Sequence, residues 1–146
     1  MRRLISLGVV TFAAAAVVAG YAMADDSWHE KREVLMKDNG AQATIGGKMA
    51  QGAMPFDAAA AKAAMEKIAV NAAGIPALFP PGSEGGDALP AIWENFPDFE
   101  AKAAALKTAA DAAAAAADQG LEAFGPAFGA VGQACGACHQ TYRKPS

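Results

Sequence analysis

The sequence has few of the residues on which catalytic and nucleic-acid-binding sites usually depend. Its 146 residues include two cysteines and two histidines, and aromatic residues make up 8% of the chain. Neither a Ser-His-Asp arrangement nor a pair of carboxylates accompanies the histidines, so the common hydrolase patterns are missing. No basic cluster follows the N-terminal arginines in a chain of net charge −3, and we therefore expect no nucleic-acid partner.

Strand signals are also scarce. Few β-branched residues follow the N-terminal segment, alanine is abundant, and no alternating apolar pattern of any length occurs. Alanine is the best helix former, and a chain rich in it places small side chains where helices meet. These features predict an all-α protein.

The N-terminus has the layout of a secretory signal peptide. Two arginines follow Met1, an apolar stretch covers residues 4–20, and a small-x-small cleavage site ends at Ala24. A retained membrane anchor is the alternative, but the stretch is shorter than the roughly 20 residues that span a bilayer. We expect residues 1–24 to be removed, no stable membrane insertion afterwards, and a single domain over residues 25–146.

Four helices can be predicted in this domain. The last carries an apolar stripe at spacings of three and four, and Pro126 should kink it or mark its start. Mostly short connections predict an antiparallel four-helix bundle. The first predicted helix covers residues 27–52 with Ser27 as N-cap, and the second covers residues 58–73 after the N-cap Asp57. The third starts within residues 95–98 and ends at residue 119, and the fourth covers residues 121–142. A Pro- and Gly-rich loop covers residues 75–90.

Both cysteines of the chain fall in one motif near its C-terminus. Cys135-Gly136-Ala137-Cys138-His139 is a C-x-x-C-H sequence, the attachment signature of a c-type haem. The two thiols add to the haem vinyl groups, and the histidine binds the iron as proximal axial ligand. A thiol oxidoreductase is the alternative for C-x-x-C, but no βαβ pattern accompanies it. The motif predicts one covalent haem c, held on the inner face of the last helix.

The opposite side of the iron decides between two functions. On the first helix, Arg32, Met36, Gly40, Ala43 and Gly47 share a face, and Met36 is the long apolar side chain among small ones. A thioether bound to iron stabilises the reduced state, whereas an iron without a sixth ligand can take a small gas. Methionine also fills gaps in cores without binding metal, and position alone leaves both roles open.

Two further residues of the first helix have competing interpretations. Arg32 can pair with a haem propionate or form a surface salt bridge with Glu30 or Glu33. His29, the other histidine, is expected to be an exposed residue rather than a second imidazole ligand.

The motifs together resemble the class II c-type cytochromes, the cytochrome c-prime family. The resemblance rests on the C-terminal C-x-x-C-H with Tyr142-Arg143-Lys144 behind it, on the loop 81–87 followed by 90–93, and on the opening segment 32–37. It implies a left-handed four-helix bundle, a periplasmic location, and in many members a homodimer formed through the first two helices. The pair Gly125-Pro126 departs from the family's usual uninterrupted last helix.

The family has two branches, and the resemblance favours the low-spin one. Low-spin members bind the iron with a methionine of the first helix and carry electrons; five-coordinate, high-spin members bind nitric oxide or carbon monoxide. Met36 stands at the deciding position, although some high-spin members have an unbonded methionine there. The resemblance also implies that Arg32, Glu33 and Asp87 lie near the haem. The expected function is a periplasmic monohaem electron carrier that serves redox partner proteins and is not an enzyme, with gas binding as the alternative.

Overall fold

The computed structural model describes residues 23–145, so the predicted signal peptide lies almost wholly outside the described residues. Four long helices form the antiparallel, left-handed bundle that was predicted, and residues 23–145 contain no strand, only an isolated bridge between Ala88 and Arg143. The helices are α1 Met23–Ala50, α2 Ala58–Gly74, the short α3 Ala91–Glu94, α4 Phe96–Ala117 and α5 Leu121–Tyr142, with a 3-10 turn at Pro76–Leu78.

The start of α1 differs from the prediction. Ser27 is not the N-cap, because α1 already begins at Met23 and no glycine or proline between them stops the helix. At the other end, Gly52 takes a positive φ of 70° and the Ala53 N–H donates to the Lys48 carbonyl at 2.8 Å. A glycine in the left-handed region, with a bond back to the last turn, is a common helix stop.

The second helix begins as predicted. The Asp57 carboxylate accepts a hydrogen bond from the Ala60 N–H at 3.0 Å, which satisfies one of the free donors of the first turn. The loop after α2 contains the short helix α3, which was not predicted because four residues are too few to show a helical period. The start of α4 after Asn95 agrees with the prediction.

Helix α5 runs without interruption from Leu121, so the alternative that it starts near Pro126 is wrong. Pro126 is the sixth residue of the helix and cannot donate to the Glu122 carbonyl. Pro126 and Glu122 are both exposed, so water can bond to the Glu122 carbonyl and reduce the free-energy cost of the proline.

Small side chains bring the helices close together and leave one gap. Ala61 and Ala72 of α2, and Ala110 and Ala117 of α4, are each 0% exposed. Helix α2 packs on α1 and α4, and α4 packs on α5, whereas the contact between α1 and α5 is smaller than each of these three. A cavity of the bundle lies along that weaker contact.

Candidate haem site

A cavity of about 650 Å³ lies inside the bundle, and all four long helices contribute to its wall. Apolar side chains from α2, α3 and α4 form much of the lining, among them Ile68, Ile92, Phe99 and Leu106. Cys135, Cys138 and His139 line it from α5, and Met36 lines it from α1. The predicted haem-attachment residues and the candidate distal ligand therefore belong to the same cavity.

The α5 wall supplies the two thiols and the imidazole. Cys135 and Cys138 are half-buried free thiols, and burial raises the pKa of each. His139 is exposed at the cavity edge, where partial burial and then the Arg143 charge lower its pKa. A lowered pKa favours the neutral imidazole, the form that can bind a metal.

The α1 wall combines Met36 with small residues. Arg32, Met36, Gly40 and Ala43 all line the cavity, as their shared helical face predicted. A Cβ added at Gly40 would meet no heavy atom within 4 Å, so open space remains beside this turn. Gly47 does not continue this wall, because an added Cβ there would lie 3.6 Å from the Phe128 ring.

These residues fit a covalent haem. A C-x-x-C pair, a neighbouring imidazole and a facing thioether are the donor set of a c-type site. The apolar lining and the volume suit a large flat macrocycle. Cys135 and Cys138 would hold the haem, and His139 and Met36 line the cavity that it would fill.

Arg32 is a buried residue that fastens α1 to the loop after α2. It is 6% exposed; its Nε donates to the Leu78 carbonyl at 2.9 Å, and its Nη2 donates to the Ser83 carbonyl at 2.6 Å and to Ser83 Oγ at 2.5 Å. The guanidinium also lies 4.2 Å from the Phe79 ring centroid. The expectation of a surface salt bridge between Arg32 and Glu30 or Glu33 is wrong, because Arg32 is buried. Glu33 instead pairs with Lys37 at 2.9 Å.

The other residues expected near the haem lie at the cavity edge. Glu33 and Asp87 are exposed and line the cavity, and the Asp87 carbonyl accepts from the Lys144 N–H at 2.8 Å. His29 is exposed, as predicted, but it also lines the cavity and lies against Gly86. A Cβ at Gly86 would clash with the His29 imidazole, and its φ of +60° also favours glycine.

The polar partner of Tyr142 was not predicted from the sequence. This tyrosine is 3% exposed, and its hydroxyl donates to Asp98 Oδ2 at 2.6 Å. Burial, and then the Asp98 carboxylate, raise the pKa of Tyr142 to about 12. The available signal was the apolar stripe of α5, which places Tyr142 in the core. A buried tyrosine needs a hydrogen-bond partner for its hydroxyl.

The Tyr142 hydroxyl should make the free energy of unfolding fall as the pH becomes alkaline. The pKa is about 12 in the folded chain and roughly 10 in an unfolded one, so the contribution is complete below pH 10 and disappears as pH rises through 12. We expect Tyr142→Phe to cost about 1–2 kcal/mol at pH 8, and the difference from the unmodified protein to shrink above pH 10. Denaturant unfolding of the haem-loaded proteins measures this, with the exposed Thr141→Val as control. A difference that stays constant to pH 12 would contradict the assignment.

An all-helical bundle with a C-x-x-C-H motif on its last helix and a cavity beside it defines a c-type cytochrome. The family model described as Cytochrome C' matches residues 27–143, and the chain belongs to that family. Its cofactor is covalently bound haem c, as the motif predicted. Among residues 23–145, no helix is both long and apolar enough to cross a membrane.

Named relatives and solved structures agree with this assignment. The chain is 50% identical over 115 residues to a cytochrome c-556 of Agrobacterium fabrum (strain C58 / ATCC 33970), which covers 78% of this chain and 79% of that one. A cytochrome c' from Rhodobacter Spheriodes matches with a TM-score of 0.77 and 31% identity, over 84% of this chain and 98% of that one. A nitric oxide complex of a mutant cytochrome c prime from Alcaligenes xylosoxidans matches with a TM-score of 0.74 and 35% identity, over 87% and 100%.

Proposed function

We propose that this protein is a periplasmic electron carrier whose haem iron is bound by His139 and Met36. The observation that supports this most is the position of Met36, which enters from α1 the cavity that His139 borders from α5. Gly40 and Ala43, one and two turns after it, leave room for a macrocycle against α1. The haem, when bound, supplies a reversible one-electron change at its iron.

The residues of the chain hold and tune that centre. Cys135 and Cys138 would anchor it to α5, and the neutral His139 imidazole would bind its iron. A Met36 thioether bound to the iron would stabilise the reduced state and thereby raise the reduction potential. Buried Ile68, Ile92 and Phe99 exclude water from the cavity interior. Arg32, Glu33 and Asp87 line the cavity, and Arg32 is placed to pair with a propionate.

A five-coordinate, gas-binding protein is the second candidate. Its support is the similarity to the Alcaligenes xylosoxidans protein, a mutant of which was solved as a nitric oxide complex. Met36 also packs against the core, so its burial fits a structural role as well as a ligand role.

Two optical measurements on the haem-loaded protein separate these candidates. The carrier should show a low-spin ferric spectrum with a weak far-red band from sulfur-to-iron charge transfer. Its reduced form should bind carbon monoxide slowly or not at all, because the sixth position is occupied. A high-spin ferric spectrum with rapid, tight carbon monoxide binding would establish the second candidate instead.

Location and partners follow from the same proposal. Export through residues 1–24 would bring the chain to the compartment where c-type haems are attached, and redox proteins there would exchange electrons with it. A homodimer would cover two exposed apolar residues, Val34 of α1 at 69% and Val70 of α2 at 68% exposure. Sedimentation equilibrium of the processed protein determines whether it forms.

A further inference from the structure

A chain of hydrogen bonds runs from the protein surface to the Met36 side of the haem cavity. Asn71 of α2 donates through its single Nδ2 to two residues of α1: to Asp38 Oδ2 at 2.7 Å and to Asn39 Oδ1 at 2.9 Å. The Asp38 side chain is 33% exposed, whereas Asn39 is 9% exposed and lines the cavity. We call these three residues the amide relay.

The carboxylate at one end determines the direction of every bond in the amide relay. An ionised carboxylate can only accept, so Asn71 must turn its NH₂ group toward Asp38. That group has two hydrogens, and the second is directed to Asn39, which must therefore present its oxygen. The Asn39 NH₂ group is then turned away from Asn71. An asparagine side chain without such a partner could present either end, because its two orientations have nearly the same shape.

The Asn39 NH₂ group is a donor at the cavity wall, beside the candidate distal ligand. Asn39 follows Met36 by three residues, which places both on the same side of α1. Among residues 23–145, Asn39 Nδ2 donates to no protein acceptor. Once the cavity is filled, an amide N–H left there without an acceptor would cost roughly 1–3 kcal/mol, so a bound molecule that accepts this bond would be favoured.

We propose that Asn39, oriented by Asn71 and Asp38, is the hydrogen-bond donor for small molecules that occupy the Met36 side of the haem. The ligand class is that of small, electron-rich acceptors such as an anion or a diatomic molecule with a partly negative outer atom. The amide relay makes this side of the cavity selective for such ligands, which an apolar wall would not distinguish. The proposal rests on the haem site proposed above, but it holds whether or not Met36 binds the iron.

The test uses haem-loaded Met36→Ala protein, in which the sixth position is open in every sample. Carbon monoxide on the reduced protein is the first probe, because a donor near its outer oxygen lowers the C–O stretching frequency seen in the infrared. Adding Asn39→Leu, which keeps the size and removes the amide, should raise that frequency. Adding Asp38→Asn should split the band or shift it partway, because the relay no longer has a fixed direction.

Fluoride binding to the ferric Met36→Ala protein is the second probe. Loss of one hydrogen bond of about 1.4 kcal/mol should weaken fluoride binding about tenfold in the Asn39→Leu background. Gln42→Ala is the matched control, since Gln42 contacts Asp38 at 3.1 Å from outside the relay and should change neither probe. Unchanged infrared bands and fluoride affinity in Asn39→Leu would overturn the proposal. A shift in Asn39→Leu but none in Asp38→Asn would retain the donor and overturn its orientation by the carboxylate.

Discussion

Replacing both Cys135 and Cys138 by alanine should abolish covalent haem attachment. Produced in a host that matures such proteins, the unmodified chain should keep its pigment through acid–acetone washing, because two thioether bonds hold it. The double variant should lose its pigment to the solvent, since it has no other cysteine. Absorption of the washed polypeptide measures the difference.

A matched control lies inside the same motif. Gly136→Ala adds a single methyl group, and a Cβ at Gly136 would meet no heavy atom within 4 Å. This variant keeps both thiols and should retain its pigment fully. Retention of the pigment by the double cysteine variant would disprove thioether attachment at this motif.

The double variant should also be much less stable. The cavity of about 650 Å³ separates α1 from α5, which contact each other weakly. Without the haem, its apolar walls face water or an unfilled space, and both are unfavourable. A loss of about 3 kcal/mol would lower the Tm by roughly 10 °C in a domain of this size. Thermal unfolding followed by circular dichroism tests this, with Gly136→Ala expected to remain close to the unmodified protein.

The bundle and the haem motif were predictable because both depend on local patterns. Spacings of three and four located the face of α5, and the Asp57 cap located the start of α2. The C-x-x-C-H motif needed no tertiary information at all. Met36 was found for a related reason: helical spacing shows which residues share a face, and the small neighbours of Met36 indicated that something large approaches it.

Contacts between distant segments could not be predicted in the same way. Arg32 bonds to Leu78 and Ser83, which are 46 and 51 residues away, and Asn39 contacts Asn71 across 32 residues. Periodicity gives the face of a helix but not the loop or helix that covers it. Burial of Arg32 was therefore missed, and a surface salt bridge was an equally reasonable expectation.

Replacing Met36 by alanine should change the iron from low-spin to high-spin. The variant removes the thioether but leaves Cys135, Cys138 and His139, so the haem stays attached. The ferric far-red band should disappear, and the reduction potential should fall, because a thioether ligand favours the reduced state. Absorption spectroscopy and a redox titration of the purified protein measure both changes.

Carbon monoxide binding gives the size of the Met36 effect. Apparent affinity falls in proportion to the fraction of molecules in which the site is open. If the thioether occupies the iron in about 99% of reduced molecules, Met36→Ala should raise the apparent carbon monoxide affinity about 100-fold. Met54→Ala is the control, because Met54 is 38% exposed and does not line the cavity. An unchanged ferric spectrum and unchanged carbon monoxide affinity in Met36→Ala would remove Met36 from the coordination shell and leave the gas-binding candidate.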